Sequence, residues 1–138
     1  MLTTEDPLVL RQADARGVVT LTLNRPQAFN SLSEAMLAAL QAEFTALAHD
    51  ESARVVVLAG SGKAFCAGHD LKEMRADPSA EYYRKLFAKC AKLMLAIQRL
   101  PVPVVAQVQG IATAAGCQLV AMCDLAVAAS TARFAVSG

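Results

Sequence analysis

Apolar and polar positions alternate along VVTLTL (18–23), a period of two that predicts a strand, and Asn24-Arg25-Pro26 ends it. Beyond that break the period lengthens. Leu32, Met36, Leu40, Phe44 and Leu47 recur at helical spacing and predict a helix reaching about His49. Ser31 and Ser33 both suit its N-cap, and Ser31 with Glu34 fits a capping box. RVVVLAG (54–60) is a short unbroken apolar run, as expected of a parallel strand buried on both faces. Strand, helix, strand in this order predicts a βαβ unit with a right-handed crossover.

The pattern resumes after a small, glycine-containing stretch at 61–74. Asp77-Pro78-Ser79 signals a helix start, and Tyr83, Leu86, Phe87, Cys90, Leu93, Met94 and Ile97 form an apolar stripe from about Glu81 to Arg99. Pro101 and Pro103 break it. VPVVAQVQG (102–110) reads as a third buried strand, and Gly110 opens a turn into a helix over roughly 113–122. DLAVAAS (124–130) and RFAV (133–136) predict two more strands. No internal repeat or low-complexity linker is visible.

Composition changes this picture in one respect. A chain of 138 residues makes one domain, yet 55% of it is apolar and its mean hydropathy is +0.38. So much apolar sequence implies that some of it is covered by another chain or by further residues. The formal net charge is +1, aromatics make up 5% and Trp is absent, so nothing favours nucleic acid. Residues 100–123 carry no charge and are long enough to span a bilayer, but Pro101, Pro103, Gln107, Gln109, Gly110, Gly116 and Gln118 argue against a lipid-facing helix. No membrane span is expected.

Cys66, Cys90, Cys117 and Cys123 form no C-x-x-C pair and no zinc spacing, which predicts reduced thiols and no metal site. MLTTEDPLVLRQ lacks a basic segment followed by an apolar run, so no secretory signal is read there, and a cytoplasmic protein is expected.

The densest chemistry lies in SGKAFCAGHDLKEM (61–74). A phosphate loop is excluded, because Val57 stands five residues before Gly62 and Ala64 follows Lys63. Cys66, His69 and Asp70 could form a thiol, base and orienter, but triad members normally converge from separate elements. Cys66 and His69 as a metal pair would supply only two ligands. A backbone reading fits better: a buried strand, a small-residue turn and a helix beginning near His69 would aim free amides outward. Gly110-Ile-Ala-Thr-Ala-Ala-Gly116 repeats that design, and two such turns facing one pocket would offer two donors to one oxygen. Small residues there also serve tight packing.

At this point the chain resembles the enoyl-CoA hydratase/isomerase (crotonase) superfamily. The matching residues are LTLNRPQAFNSLS (21–33), VVVLAGSGKAFCAGHDLKEM (55–74), PVPVVAQVQGIATAAGCQLVAMCDLAVAA (101–129) and RFAVSG (133–138). The resemblance implies an α/β fold, the β-β-α spiral of the crotonase type, with residues 1–138 as its N-terminal portion. Further spiral turns and trimerisation helices would come from a second segment or chain, and the complete protein would be a homotrimer or hexamer. It implies an acyl-CoA thioester ligand, with coenzyme A arriving as part of the substrate and no permanently bound cofactor.

By position, the resemblance makes the amides of His69 and Ala115 an oxyanion hole. It places Arg25, Ala67, His69, Asp70, Leu71 and Lys72 at the acyl-CoA site. Hydratases of this family use two glutamates, and here Gln118 and Gly138 stand in their places. An amide can hold a water molecule but cannot exchange a proton with it near neutral pH, which argues against conventional hydration by these residues. Three functions are thereby expected to compete: enolate stabilisation on an acyl-CoA, acyl-CoA binding without catalysis, and thiol chemistry at Cys66.

Overall fold

The computed structural model describes residues 6–136. Two sheets organise them. Strands β1 (Val9–Ala13), β2 (Val18–Leu23), β3 (Val55–Gly60), β5 (Val104–Val108) and β7 (Leu125–Ala128) form the larger in the order β1-β2-β3-β5-β7. The smaller consists of β4 (Ala64–Cys66), β6 (Ile111–Thr113) and β8 (Arg133–Ala135), in that order. Only the β1–β2 pair is antiparallel. The helices are α1 (Glu34–Leu47), α2 (Leu71–Ala76), α3 (Ala80–Arg99) and α4 (Ala115–Met122).

From β3 onward the chain repeats one move: a strand for the large sheet, a strand for the small sheet, then helix. The pairs β3–β4, β5–β6 and β7–β8 are successive passes, with α2 and α3 following the first and α4 the second. This is the β-β-α spiral. Its repeat is structural and leaves no trace in sequence, because AFC, IAT and RFA share a place but not a pattern.

The core forms where the large sheet meets α1 and α3. Leu21, Leu23, Val56, Leu58, Val104 and Ala106 pack there with Met36, Leu40 and Phe44 of α1 and with Leu86, Leu93 and Ile97 of α3. Burial of such side chains contributes about 1.5–3 kcal/mol each relative to exposure. β3 corrects the expectation of burial on both faces: Val56 and Leu58 are buried, but Val55 and Val57 only partly so.

Helix α1 begins one residue after Ser33, whose side-chain oxygen accepts the Met36 amide at 3.1 Å. The predicted Ser31–Glu34 capping box is not formed, because the Glu34 carboxylate binds Lys89 Nζ at 2.7 Å instead. Ser79 caps α3 through the Tyr82 amide, as its position predicts. β7 and β8 leave Leu125, Val127, Phe134 and the following Val136 exposed, which gives the apolar excess of the composition a location. No helix among the described residues is long and apolar enough to cross a membrane.

Candidate functional site

The site is built on the turn that follows β4. Its first anchor is Asn30, fully buried and left-handed at φ 55. Asn30 Nδ2 donates to the carbonyls of Ser61, Ala64 and Phe65 at 2.9, 3.0 and 3.2 Å, and its Oδ1 accepts the Arg25 amide at 2.8 Å. Gln109 Nε2 donates to the Gly62 and Ala64 carbonyls, each at 3.0 Å. The Ala67 amide donates to Phe29, the Gly68 carbonyl accepts the Leu32 amide, and Thr113 Oγ1 donates to the Ala67 carbonyl. Residues 61–68 are thus fixed largely through main-chain atoms.

Asn30, Gln109 and Thr113 escape the sequence reading. The one available signal is that Asn tolerates a left-handed turn better than most residues.

The turn before α4 reaches the same place from the other side. At Gly68 (φ 91), a Cβ would lie 3.2 Å from Ala114 Cβ and 3.4 Å from the Ala115 amide nitrogen. The two turns therefore touch at the residue just before His69. Gly116 allows the close seat of α4 on β4, since a Cβ there would run into the Cys66 carbonyl. Ala114 holds the strained pair φ 51, ψ −123, a region that side-chain-bearing residues seldom occupy.

His69 and Ala115 consequently line one cavity of about 790 Å³, together with Ala67, Leu71, Phe87 and Gln118. Ala115 is the first residue of α4, where an amide has no intrahelical acceptor. The helix expected near His69 is α2. Helix α2 starts at Leu71 with Asp70 as its cap, accepting the Glu73 amide at 3.1 Å, so the His69 amide belongs to the turn before it. No acceptor among the described residues takes the His69 or the Ala115 amide.

Arg25, Asp70 and Lys72 do not line the cavity. Arg25 Nη1 pairs with Asp70 Oδ2 at 3.0 Å, and Lys72 is exposed. Burial raises the Asp70 carboxyl, but the Glu73 amide and Arg25 outweigh it and hold the group below its ordinary 3.8. Gly138 lies outside the described residues.

Burial pushes the Cys66 thiol up to about 12 and leaves it inaccessible, so it cannot serve as a nucleophile at neutral pH. The imidazole of His69 is held below its usual range by burial, against a smaller upward pull from the Leu32 carbonyl. No cluster of three or more His, Cys, Asp or Glu side chains able to hold a metal occurs among the described residues.

Comparison with known proteins agrees with this architecture. Residues 13–138 match the family model "Enoyl-CoA hydratase/isomerase". The chain is 46% identical over 132 residues to enoyl-CoA hydratase domain-containing protein 3, mitochondrial, of Xenopus laevis, covering 96% of this chain and 45% of the relative. Against the human protein of that name identity is 42%, covering 96% and 43%. A crystal structure of enoyl-CoA hydratase from Mycobacterium smegmatis superposes with a TM-score of 0.95 at 77% identity, covering 96% of this chain and 52% of that one. The chain spans about half the length of the curated relatives it matches.

These relatives correct the cytoplasmic expectation, because the hydratase domain-containing proteins are named as mitochondrial. That expectation rests on the lack of a secretory signal, which does not separate cytoplasm from mitochondrion. In sequence and in fold alike, the chain belongs to the enoyl-CoA hydratase/isomerase family.

Proposed function

We propose that this chain binds an acyl-CoA thioester with the thioester oxygen between the amides of His69 and Ala115, and stabilises the enolate formed there. The observation that carries this reading is the contact of the two turns at Gly68, within one cavity. An enolate concentrates charge on one oxygen, and each pre-aimed donor lowers the barrier by about 2.7–4 kcal/mol. Because both donors are main-chain groups, neither the imidazole at 69 nor the methyl at 115 removes them. Ala67, Leu71 and His69 would line the acyl-CoA path, with Asp70, Arg25 and the exposed Lys72 at its mouth. Coenzyme A comes with the substrate, and the reading requires no resident cofactor.

The exposed apolar face of β7 and β8 supports cover by further polypeptide, in the same chain or another, and by neighbouring copies in a homotrimer or hexamer. Acyl-CoA binding by calorimetry, run beside crotonyl-CoA hydration followed by loss of enoyl absorbance, tests the function. A preparation that binds no acyl-CoA refutes the reading. Binding without turnover of any thioester leaves the second reading, a non-catalytic acyl-CoA-binding protein. Gln118 favours that alternative, since it lines the cavity where hydratases of the family place a glutamate and cannot relay protons.

A further inference from the structure

The reading above leaves the proton unassigned and the His69 side chain unused. Its ring lies edge-on to Phe87, with centroids 5.3 Å apart and an interplanar angle of 62°. Nδ1 is buried and has no hydrogen-bond partner among the described residues. Nε2 is neither buried in that way nor hydrogen-bonded, so it is the accessible nitrogen of a ring that lines the cavity. The Leu32 carbonyl also acts on the imidazole and favours its charged form, though less than burial opposes it. In a neutral imidazole one ring nitrogen carries the proton and the other keeps a lone pair.

Titratable groups on the neighbouring elements are engaged with other partners. Asp70 holds Arg25 and the Glu73 amide. Glu73 accepts the Glu34 amide and the Tyr82 hydroxyl, while Glu34 pairs with Lys89. Tyr83 donates to the Met74 carbonyl. Among the described residues, the helices add one titratable side chain to the cavity lining, Cys117 of α4.

We propose that His69, as its Nδ1–H tautomer, uses Nε2 as the general base that takes the α-proton of the bound acyl thioester, a role that Gln118 cannot perform. This rests on the acyl-CoA reading of the same cavity. The α-C–H bond breaks as an Nε2–H bond forms. The electron pair enters the Cα–C bond, and the carbonyl π pair moves onto the thioester oxygen, which becomes the oxyanion held by the two amides. Return of the proton from the imidazolium regenerates the thioester, with no other reactant. Residue 69 would thus hold the charge with its backbone and move the proton with its side chain. Burial suits the imidazole to this, because it is kept neutral and able to accept near neutral pH.

The test is deuterium exchange at the α-carbon of butyryl-CoA in D₂O, followed by mass spectrometry beside calorimetric binding of the same thioester. The native protein should exchange the α-protons with a single inflection below the ordinary imidazole value of 6.5. His69→Gln keeps the amide donor and should bind butyryl-CoA within a few-fold, yet lose about 10²–10⁴-fold in exchange rate and lose the inflection. Exchange by His69→Gln at the native rate overturns the proposal, as does native protein that binds butyryl-CoA without exchanging it. Absence of binding by the native protein instead overturns the acyl-CoA reading, and the base with it. Nitrogen NMR of the native imidazole decides the matter independently of that variant's folding. A neutral ring with bare Nε2 is expected near neutral pH, and a proton on Nε2 there overturns the assignment.

Discussion

Replacing Asn30 with alanine should do more damage than any other single truncation outside the apolar core. The amide has two hydrogens and three carbonyls to serve, so it makes two full bonds and accepts a third from Arg25. Alanine removes all three. The Ala64 carbonyl keeps Gln109 as a donor, which leaves the Arg25 amide and the Ser61 and Phe65 carbonyls to lose this partner. Buried groups stranded in this way cost about 1–3 kcal/mol each, with the low end applying to the part-buried Ser61 side. The left-handed backbone at φ 55 adds about 1 kcal/mol against alanine.

The expected loss is therefore about 4 kcal/mol. With a urea dependence of about 2 kcal/mol/M for a chain of this size, the unfolding midpoint falls by roughly 2 M. Asn30→Asp sharpens the test. It retains an acceptor for Arg25 but turns a carboxylate toward carbonyl oxygens, so at neutral pH it should unfold at least as early as the alanine variant. Acid should restore part of that loss, because the protonated carboxyl becomes a donor again. A midpoint for Asn30→Ala within about 0.3 M of the native value refutes the clamp, since three lost bonds cannot be that small.

Three further outcomes follow from the same geometry. Ala114→Gly should stabilise the chain by about 0.5–2 kcal/mol in urea unfolding, because relief of about 1–3 kcal/mol of backbone strain exceeds the entropic cost of glycine; a net loss above about 1 kcal/mol excludes strain at that residue. Gly116→Ala should cost at least about 2 kcal/mol and weaken acyl-CoA binding, because its Cβ meets the Cys66 backbone rather than a flexible side chain; an unchanged melting temperature and affinity refutes this. For Asp70, whose folded pKa is depressed, the stabilisation is fully present above the ordinary 3.8 and is lost as pH falls through the folded value. Asp70→Asn, still a competent cap, should cost about 0.5–1 kcal/mol at pH 7 and nothing in strong acid, so a constant difference across that window refutes the Arg25 pairing.

Sequence pattern reads this fold well wherever burial follows a period. β2, α1 and α3 are placed within a residue or two, since one buried face of each repeats at 2 or 3.6. β1 fails that condition, because four of its five residues are exposed and its place comes from antiparallel pairing with β2. β4 and β6 are three residues each and sit inside stretches that read as turns, so their pairing with each other depends on contacts the local letters do not encode. The two turns of the site were legible through their small residues. Asn30 was not, because the carbonyls it holds lie thirty or more residues away and are supplied by main chain of any sequence.

The same asymmetry bears on how such a site can vary. An oxyanion hole made of side chains ends with the first substitution of a donor. Here the proposed donors are amides, and their aim depends on Asn30, Gln109 and the close approaches at Gly68 and Gly116. Side chains at 69, 115 and 118 are thereby released from holding the oxygen and free to decide what happens to the proton. On the proposed reading, Gln118 would alter the proton route without dismantling charge stabilisation, and the imidazole at 69 would stand where the charge is held. A change of chemistry in this cavity should accordingly appear first at those cavity-facing side chains, while a change at Asn30 or Gly116 removes whichever chemistry is present.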